Sequence, residues 1–167
     1  MKRRDLISAA AGLAVIGGAG LAWFGPWGGN RAPDVKLTML DGRTASMGSF
    51  EGKPVLLQFW ATTCVTCVKE MPQLKALHRK LAPKGLEMVG VAMSYDPPGQ
   101  VKNMVREKSL PYPIALDNDG TVAKAFGGVR LTPTTVLINP QGDVVWRRLG
   151  ELDFAGVADQ IRGMLKG

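Results

Sequence analysis

The sequence has 167 residues but only two cysteines, Cys64 and Cys67, and both sit in one Cys-x-x-Cys unit. No third cysteine is there to staple the fold, which excludes the disulfide framework of a small secreted scaffold. Histidine is scarcer still: His78 stands alone, eleven residues beyond Cys67. Two thiols and one imidazole fall short of the four ligands of a closed zinc site, so His78 is expected to be an ordinary helix-surface residue. Lys and Arg number 21 against 14 Asp and Glu, giving +7. The excess is scattered, with no basic run interleaved with aromatics. That pattern argues against a nucleic-acid partner and fits solubility or mild attraction to anionic headgroups. Internal repeats and low-complexity tracts are also missing, and 46% hydrophobic residues is enough for one ordinary buried core.

Charge is absent from Leu6 to Asn30, a stretch preceded by Lys2, Arg3, Arg4 and Asp5. A basic start followed by an apolar run is an export signal. Residues 6–24 also approach the ~20 residues that cross a bilayer. The positive start would stay in the cytoplasm, Trp23 and Trp27 would suit the far interface, and the rest would face outward. Gly20-Leu21-Ala22 is an acceptable cleavage site, and Arg3-Arg4 permits twin-arginine export, so retained and cleaved forms compete. We read residues 1–27 as signal and membrane anchor, 28–33 as linker, and 34–167 as a single domain in the periplasm or an equivalent extracytoplasmic space.

Within that domain, Val35–Leu40 alternates weakly, and Asp41-Gly42 marks a tight hairpin before Arg43–Ser46. Val55–Trp60 is nearly continuous in apolar residues, as in a strand buried on both faces. Cys67, Met71, Leu74, Leu77 and Leu81 then recur at helical spacing until Pro83-Lys84-Gly85 stops the helix. Pro72 within it is expected to kink it. Leu86–Met93 reads as a second buried strand, parallel to the first through a right-handed crossover. A helix over Gln100–Lys108 follows, with Val101, Met104 and Val105 inward. Then come a strand at Ile114–Leu116 and a short helix capped by Thr121. Strands at Thr134–Ile138 and Val144–Arg148 flank a hairpin turn, and a last helix spans Phe154–Lys166. The fold class is α/β, a mixed central sheet with helices on both faces and an N-terminal hairpin.

The chemistry concentrates where the first buried strand gives way to its helix. A reactive cysteine must be a thiolate, and the free N–H groups and partial positive charge of a helix start stabilise one. A free thiol near pKa ~8.5 drops to roughly 3.5–7.5 in such settings. The two-residue gap puts both sulfurs on the first turn, close enough to bond. Cys64 is expected to be the exposed, attacking sulfur, and Cys67, a turn deeper, the resolving one. An exported chain with only this pair uses it for catalysis rather than for bracing.

Residues 58–72, Gln-Phe-Trp-Ala-Thr-Thr-Cys-Val-Thr-Cys-Val-Lys-Glu-Met-Pro, resemble the signature of the TlpA/ResA-like membrane-anchored thioredoxins. Trp60-Ala61, both cysteines, Glu70 and Pro72 match in spacing, and the similarity extends over residues 33–167. The resemblance implies a thioredoxin-like fold and thiol–disulfide exchange with no cofactor beyond the redox-active disulfide. It implies that Leu131–Thr135 is a loop whose Pro133 is cis and faces the cysteines, with the Thr132 backbone pairing with substrate. It implies that Glu70 tunes the cysteines and moves a proton, against the plainer reading of a solvated helix glutamate. Trp60 is a further candidate for substrate contact, although Trp60, Phe59 and Phe126 also fit a core. The sequence departs from the family pattern at Thr63, where Trp is frequent, and at Val65-Thr66, where Pro is common. Both positions influence the redox potential. The resemblance further implies a reductant fed by a membrane thiol transporter of the DsbD/CcdA kind, and a monomer is expected. Substrate classes are apocytochrome c haem-site thiols, oxidase copper-site thiols and general protein disulfides.

Two other readings compete. A peroxiredoxin needs a threonine or serine three residues before its peroxidatic cysteine, and here Ala61 precedes Cys64 and Cys64 precedes Cys67 at that spacing. A copper(I)-binding module would use both soft thiolates, but no methionine or histidine lies in the motif to complete the site. Insulin reduction set against copper(I) titration separates these classes. The anchor reading is tested by fractionating cells that express a C-terminally tagged chain, which should stay with carbonate-washed membranes. Full-length protein in the soluble cytosol would overturn both export and tether, and a shortened soluble periplasmic form would overturn the tether alone.

Overall fold

The computed structural model describes residues 31–166, so the anchor expected at residues 6–24 lies outside the described residues. The domain begins earlier than residue 34. Arg31 forms an antiparallel bridge with Asp143, and the Ala32 N–H donates to the Gly142 carbonyl at 2.8 Å. The end of the expected linker is therefore already tied to the domain.

Strands β1 (Lys36–Thr38) and β2 (Thr44–Ser46) make the expected hairpin as a separate two-stranded sheet. The main sheet holds β3 (Val55–Trp60), β4 (Glu87–Ala92), β5 (Ile114–Leu116), β6 (Thr134–Ile138) and β7 (Val144–Leu149). Their spatial order is β5-β4-β3-β6-β7, with β3, β4 and β5 parallel and β6 and β7 antiparallel to their neighbours. The continuous apolar run becomes the central strand because all six of its residues are buried. One outer edge is covered: Met39 bridges Ala115, and the Leu40 N–H donates to the Ile114 carbonyl. Such cover suppresses stray strand pairing.

Helix α1 (Val65–Leu81) runs through Pro72 without interruption and stops in a short 3-10 turn whose Gly85 takes φ +113°. Helix α2 (Pro98–Lys108) begins two residues before the expected start, and α4 (Phe154–Met164) ends two residues before the expected end. Alternation along the strands sends Leu56, Trp60, Met88 and Leu137 to one face. There they meet Met71, Leu74 and Leu77 of α1, Val101 of α2 and Ile161 of α4. Leu57, Phe59, Val91 and Val136 point to the other face. There they meet the hairpin through Leu37 and helix α3 (Thr121–Ala125) through Val122. The mixed sheet with helices on both faces is the thioredoxin-like fold.

Two local expectations fail for identifiable reasons. Thr121 does not cap α3, because a buried carboxylate takes that place. Asp117 accepts from the Val122 N–H at 2.9 Å and the Ala123 N–H at 2.8 Å. His78 is half-buried rather than on the surface. Its ring lies 5.9 Å from that of Tyr112, its Nδ1 has no partner among the described residues, and burial pulls its pKa below the ordinary histidine value.

Asp117→Ala would leave two buried N–H groups unpaired. It should cost about 2 kcal/mol in urea unfolding, and Asp117→Asn, which keeps one acceptor, should cost less. Equal midpoints for all three proteins would remove the capping role.

Candidate active site at the Cys64–Cys67 pair

Strand β3 ends at Trp60, and the chain turns over Ala61–Cys64, closed by the Cys64 N–H donating to the Ala61 carbonyl at 3.1 Å. Cys64 is the N-cap of α1, with extended backbone at φ −84° and ψ 101°. Its Sγ accepts from the Cys67 N–H at 3.2 Å, the role a serine or aspartate side chain usually fills. Cys64 and Cys67 form a disulfide with Cα atoms 5.2 Å apart. The two sulfurs differ in access: Cys64 is half-buried, whereas Cys67 is 1% exposed. The first turn of α1 carries no acidic side chain, so the positive end of the helix is left uncompensated there.

Glu70 lies one turn beyond Cys67 on the same helix face and is 3% exposed. It is therefore not a solvated helix glutamate. Its Oε1 accepts from the Leu152 N–H at 2.7 Å, and its Oε2 has no partner among the described residues. Burial raises the Glu70 pKa above the ordinary carboxylate value; the bond from Leu152 works the other way, nearby Glu151 adds to the rise, and Lys69 opposes it.

The register of the sheet brings the Pro133 loop to the same end. Phe59 pairs with Thr134, so Pro133 stands beside Trp60 at the carboxyl end of β3. The Thr132–Pro133 bond is cis, Pro133 is buried, and its carbonyl accepts from the Gly150 N–H at 2.9 Å. Thr132 is half-buried, and Leu131 before it is exposed. Trp60 corrects one expectation. At 2% exposure it packs in the core above Cys67 and Met71's helix face and offers no surface to an incoming chain. A Cβ on Gly90 would lie 2.7 Å from Ile114 Cδ1 and 3.1 Å from the Trp60 Nε1, so the bare strand position makes room for both side chains.

Two groups escaped the sequence reading. The Leu152 N–H is a backbone donor and carries no residue signature. Asp96 is a buried carboxylate in the segment between β4 and α2, and it accepts from both the N–H and the hydroxyl of Thr62. Its only signal was an acidic residue at the end of a buried strand, just before Pro97-Pro98. Among the described residues no three His, Cys, Asp or Glu side chains gather as a metal site would need.

The family model described as Redoxin matches residues 28–161. The chain belongs to the Redoxin family. Within it, the TlpA/ResA-like resemblance holds. The chain is 38% identical to the thiol-disulfide oxidoreductase ResA of Bacillus thuringiensis subsp. konkukian over 124 residues, 74% of this chain and 70% of that one. It is 35% identical to ResA of Bacillus anthracis over 139 residues, 83% and 76% of the two chains. Among solved structures, the thiol:disulfide interchange protein of the thioredoxin family from Chlorobium tepidum superposes with a TM-score of 0.74. That match has 26% identity and covers 82% of this redoxin and 97% of the other chain. This redoxin is a thiol–disulfide oxidoreductase of thioredoxin-like type.

The raised Glu70 pKa gives stability a pH dependence of known sign. A carboxyl held above its unfolded value contributes stability at pH below that value, and the contribution fades as pH rises through the folded pKa. Glu70→Gln keeps an acceptor for Leu152 and never ionises. The oxidised variant should therefore unfold at higher urea than wild type at pH 8 and at the same urea at pH 4. A difference that did not shrink at pH 4 would mean the gain has another source.

Proposed function

We propose that this redoxin is an extracytoplasmic reductant of protein disulfides, with Cys64 as the attacking sulfur and Cys67 as the resolving one. The observation that carries the reading is the unequal access of the two sulfurs: Cys64 half-buried at the helix start, Cys67 enclosed behind it. A sulfur at an N-cap is the one a helix stabilises as an anion.

In the reduced enzyme, the Cys64 thiolate attacks one sulfur of a substrate disulfide. A mixed disulfide forms, and the other substrate sulfur leaves as a thiolate that takes a proton. Cys67 gives its proton to the Glu70 carboxylate and attacks the Cys64 sulfur. The Cys64–Cys67 disulfide closes, the second substrate thiol is released, and two electrons have passed from enzyme to substrate. Glu70 suits the proton step because its carboxyl shares the buried helix face with Cys67 and keeps one oxygen unpartnered. Desolvation holds its pKa up, nearer that of a thiol.

Substrate would lie as an extended segment along Thr132, whose main chain precedes the buried Pro133. Val65, Tyr95, Leu131 and Leu149 are exposed apolar side chains on the elements that end or begin around the cysteines, a surface suited to unfolded polypeptide rather than a charged small molecule. Apocytochrome c with its haem-site thiols is one such substrate. Electrons would return through a membrane thiol transporter of the DsbD/CcdA kind, close at hand if residues 6–24 tether the protein. The redox-active disulfide is the only redox group the cycle needs.

Cys67→Ser should accumulate mixed disulfides through Cys64, Cys64→Ser almost none, and either should abolish turnover in insulin reduction. A richer set of adducts from Cys64→Ser would reverse the roles. Undiminished insulin reduction by both variants would end the exchange reading. A reduction potential near ~−270 mV fits a reductant, and one near ~−120 mV would make the protein an oxidant.

A further inference from the structure

We propose that Asp96 is a positioning residue for exchange: it grips the turn that carries Cys64 and keeps that sulfur aimed while the disulfide is open. The inference rests on Cys64 being the attacking sulfur.

Asp96 is 4% exposed and reaches across 34 positions of sequence to a single residue. Its Oδ2 accepts from the Thr62 N–H and its Oδ1 from the Thr62 hydroxyl, each at 2.6 Å. Both distances lie at the short, charge-assisted end for their type. Thr62 is inside the Ala61–Cys64 turn, so the carboxylate holds the middle of the loop that delivers the sulfur. Asp96 is itself braced against the strand that precedes the cysteines. Its N–H donates to the Met93 carbonyl at 2.9 Å, and the Met93 N–H donates to the Trp60 carbonyl at 3.1 Å. A closed chain of contacts therefore runs from the end of β3 through the segment after β4 and back to the residue two before Cys64.

Among the described residues, the two bonds from Thr62 are the side-chain hydrogen bonds that the Asp96 oxygens accept. A neutral amide would supply one acceptor where two donors converge. The grip matters most after reduction. In the oxidised protein a covalent bond fastens Cys64 to α1. Once it opens, the Cys64 main chain is held by the Ala61 carbonyl and by the Val68 N–H, which donates to the Cys64 carbonyl at 3.1 Å, while its sulfur keeps only the weak acceptance from the Cys67 N–H and the Asp96 clamp on Thr62 steadies the turn before it. A reacting sulfur left free to wander loses the alignment on which fast attack depends.

The test compares reduced wild type, Asp96→Ala, Asp96→Asn and Thr62→Val at a pH where the attacking thiol is fully ionised. Two rates are read: attack on a protein disulfide, and alkylation of Cys64 by iodoacetamide, with the alkylated residue located by mass spectrometry. Asp96→Ala should slow attack on the protein disulfide about tenfold, the scale of a lost charge-assisted bond, while alkylation stays within about twofold. Asp96→Asn, which still accepts from the Thr62 N–H, should recover most of the rate. Thr62→Val, which keeps that N–H and loses the hydroxyl, should fall between and serves if Asp96→Ala does not fold. Unchanged attack rates in folded Asp96→Ala or Thr62→Val would overturn the inference, as would an Asp96→Asn variant no faster than Asp96→Ala. If wild type is alkylated first at Cys67, the assignment of the attacking sulfur fails instead, whatever the variants do.

Discussion

Strand β3 is buried along its whole length and has a parallel neighbour on one side and an antiparallel neighbour on the other. That double pairing decides where every functional group goes. Parallel β4 ends where β3 ends, so the segment after it, with Asp96, arrives beside the cysteine turn. Antiparallel β6 begins where β3 ends, so Thr132 and Pro133 arrive there too. Strand β7 runs back alongside β6 and finishes at the same end, which delivers Leu152 to Glu70. Four loops far apart in sequence meet at one end of the sheet because one strand is paired in two senses. Ligand and reaction sites at the carboxyl ends of parallel strands are a general property of open α/β sheets; here the antiparallel half adds the proline loop to the same end.

This explains which parts were legible in the sequence. The strand Val55–Trp60, helix α1 and the cysteine pair are local: each is written in consecutive or helically spaced residues, and hydrophobic periodicity exposes them. The partner of Glu70 was invisible because it is a peptide N–H 82 residues away, and a backbone donor has no side-chain signature. Asp96 carried a side-chain signal, but its partner Thr62 is chosen by tertiary contact rather than by spacing. The cap of α3 was misplaced for a related reason. Thr121 had the right residue type next to the helix, yet a buried carboxylate four residues earlier reached the free N–H groups first. Trp60 shows the converse. Its motif position pointed to the site, while its parity on a fully buried strand pointed to the core, and parity won.

The two buried carboxylates at this end of the sheet are placed in opposite circumstances. Asp96 has each oxygen engaged at 2.6 Å by a donor of one residue, an arrangement that fixes geometry. Glu70 has one oxygen bonded and the other unpartnered in a desolvated setting, an arrangement that leaves room for a proton. A carboxylate with both oxygens engaged holds its donors in a fixed geometry. An unsaturated buried one makes a poor clamp, because its charge is expensive to keep. The two carboxylates thus differ in how many donors their neighbours supply.

An enzyme whose cycle makes and breaks a bond inside its own helix start must confine the resulting slack. The lower part of α1 is locked by Leu74, Leu77 and Leu81, all buried against the sheet and α4. Core packing at this density transmits displacement rather than absorbing it. Movement on reduction therefore has only the first turn and the Ala61–Cys64 loop in which to occur. One end of that loop is pinned by β3 and the other by the helix, and its middle by Asp96. The open part of this end is the start of the helix just after Cys64, where Val65 stands 83% exposed. In the proposed assignment, the clamp on Thr62 keeps the slack created by each reduction away from the Cys64 sulfur.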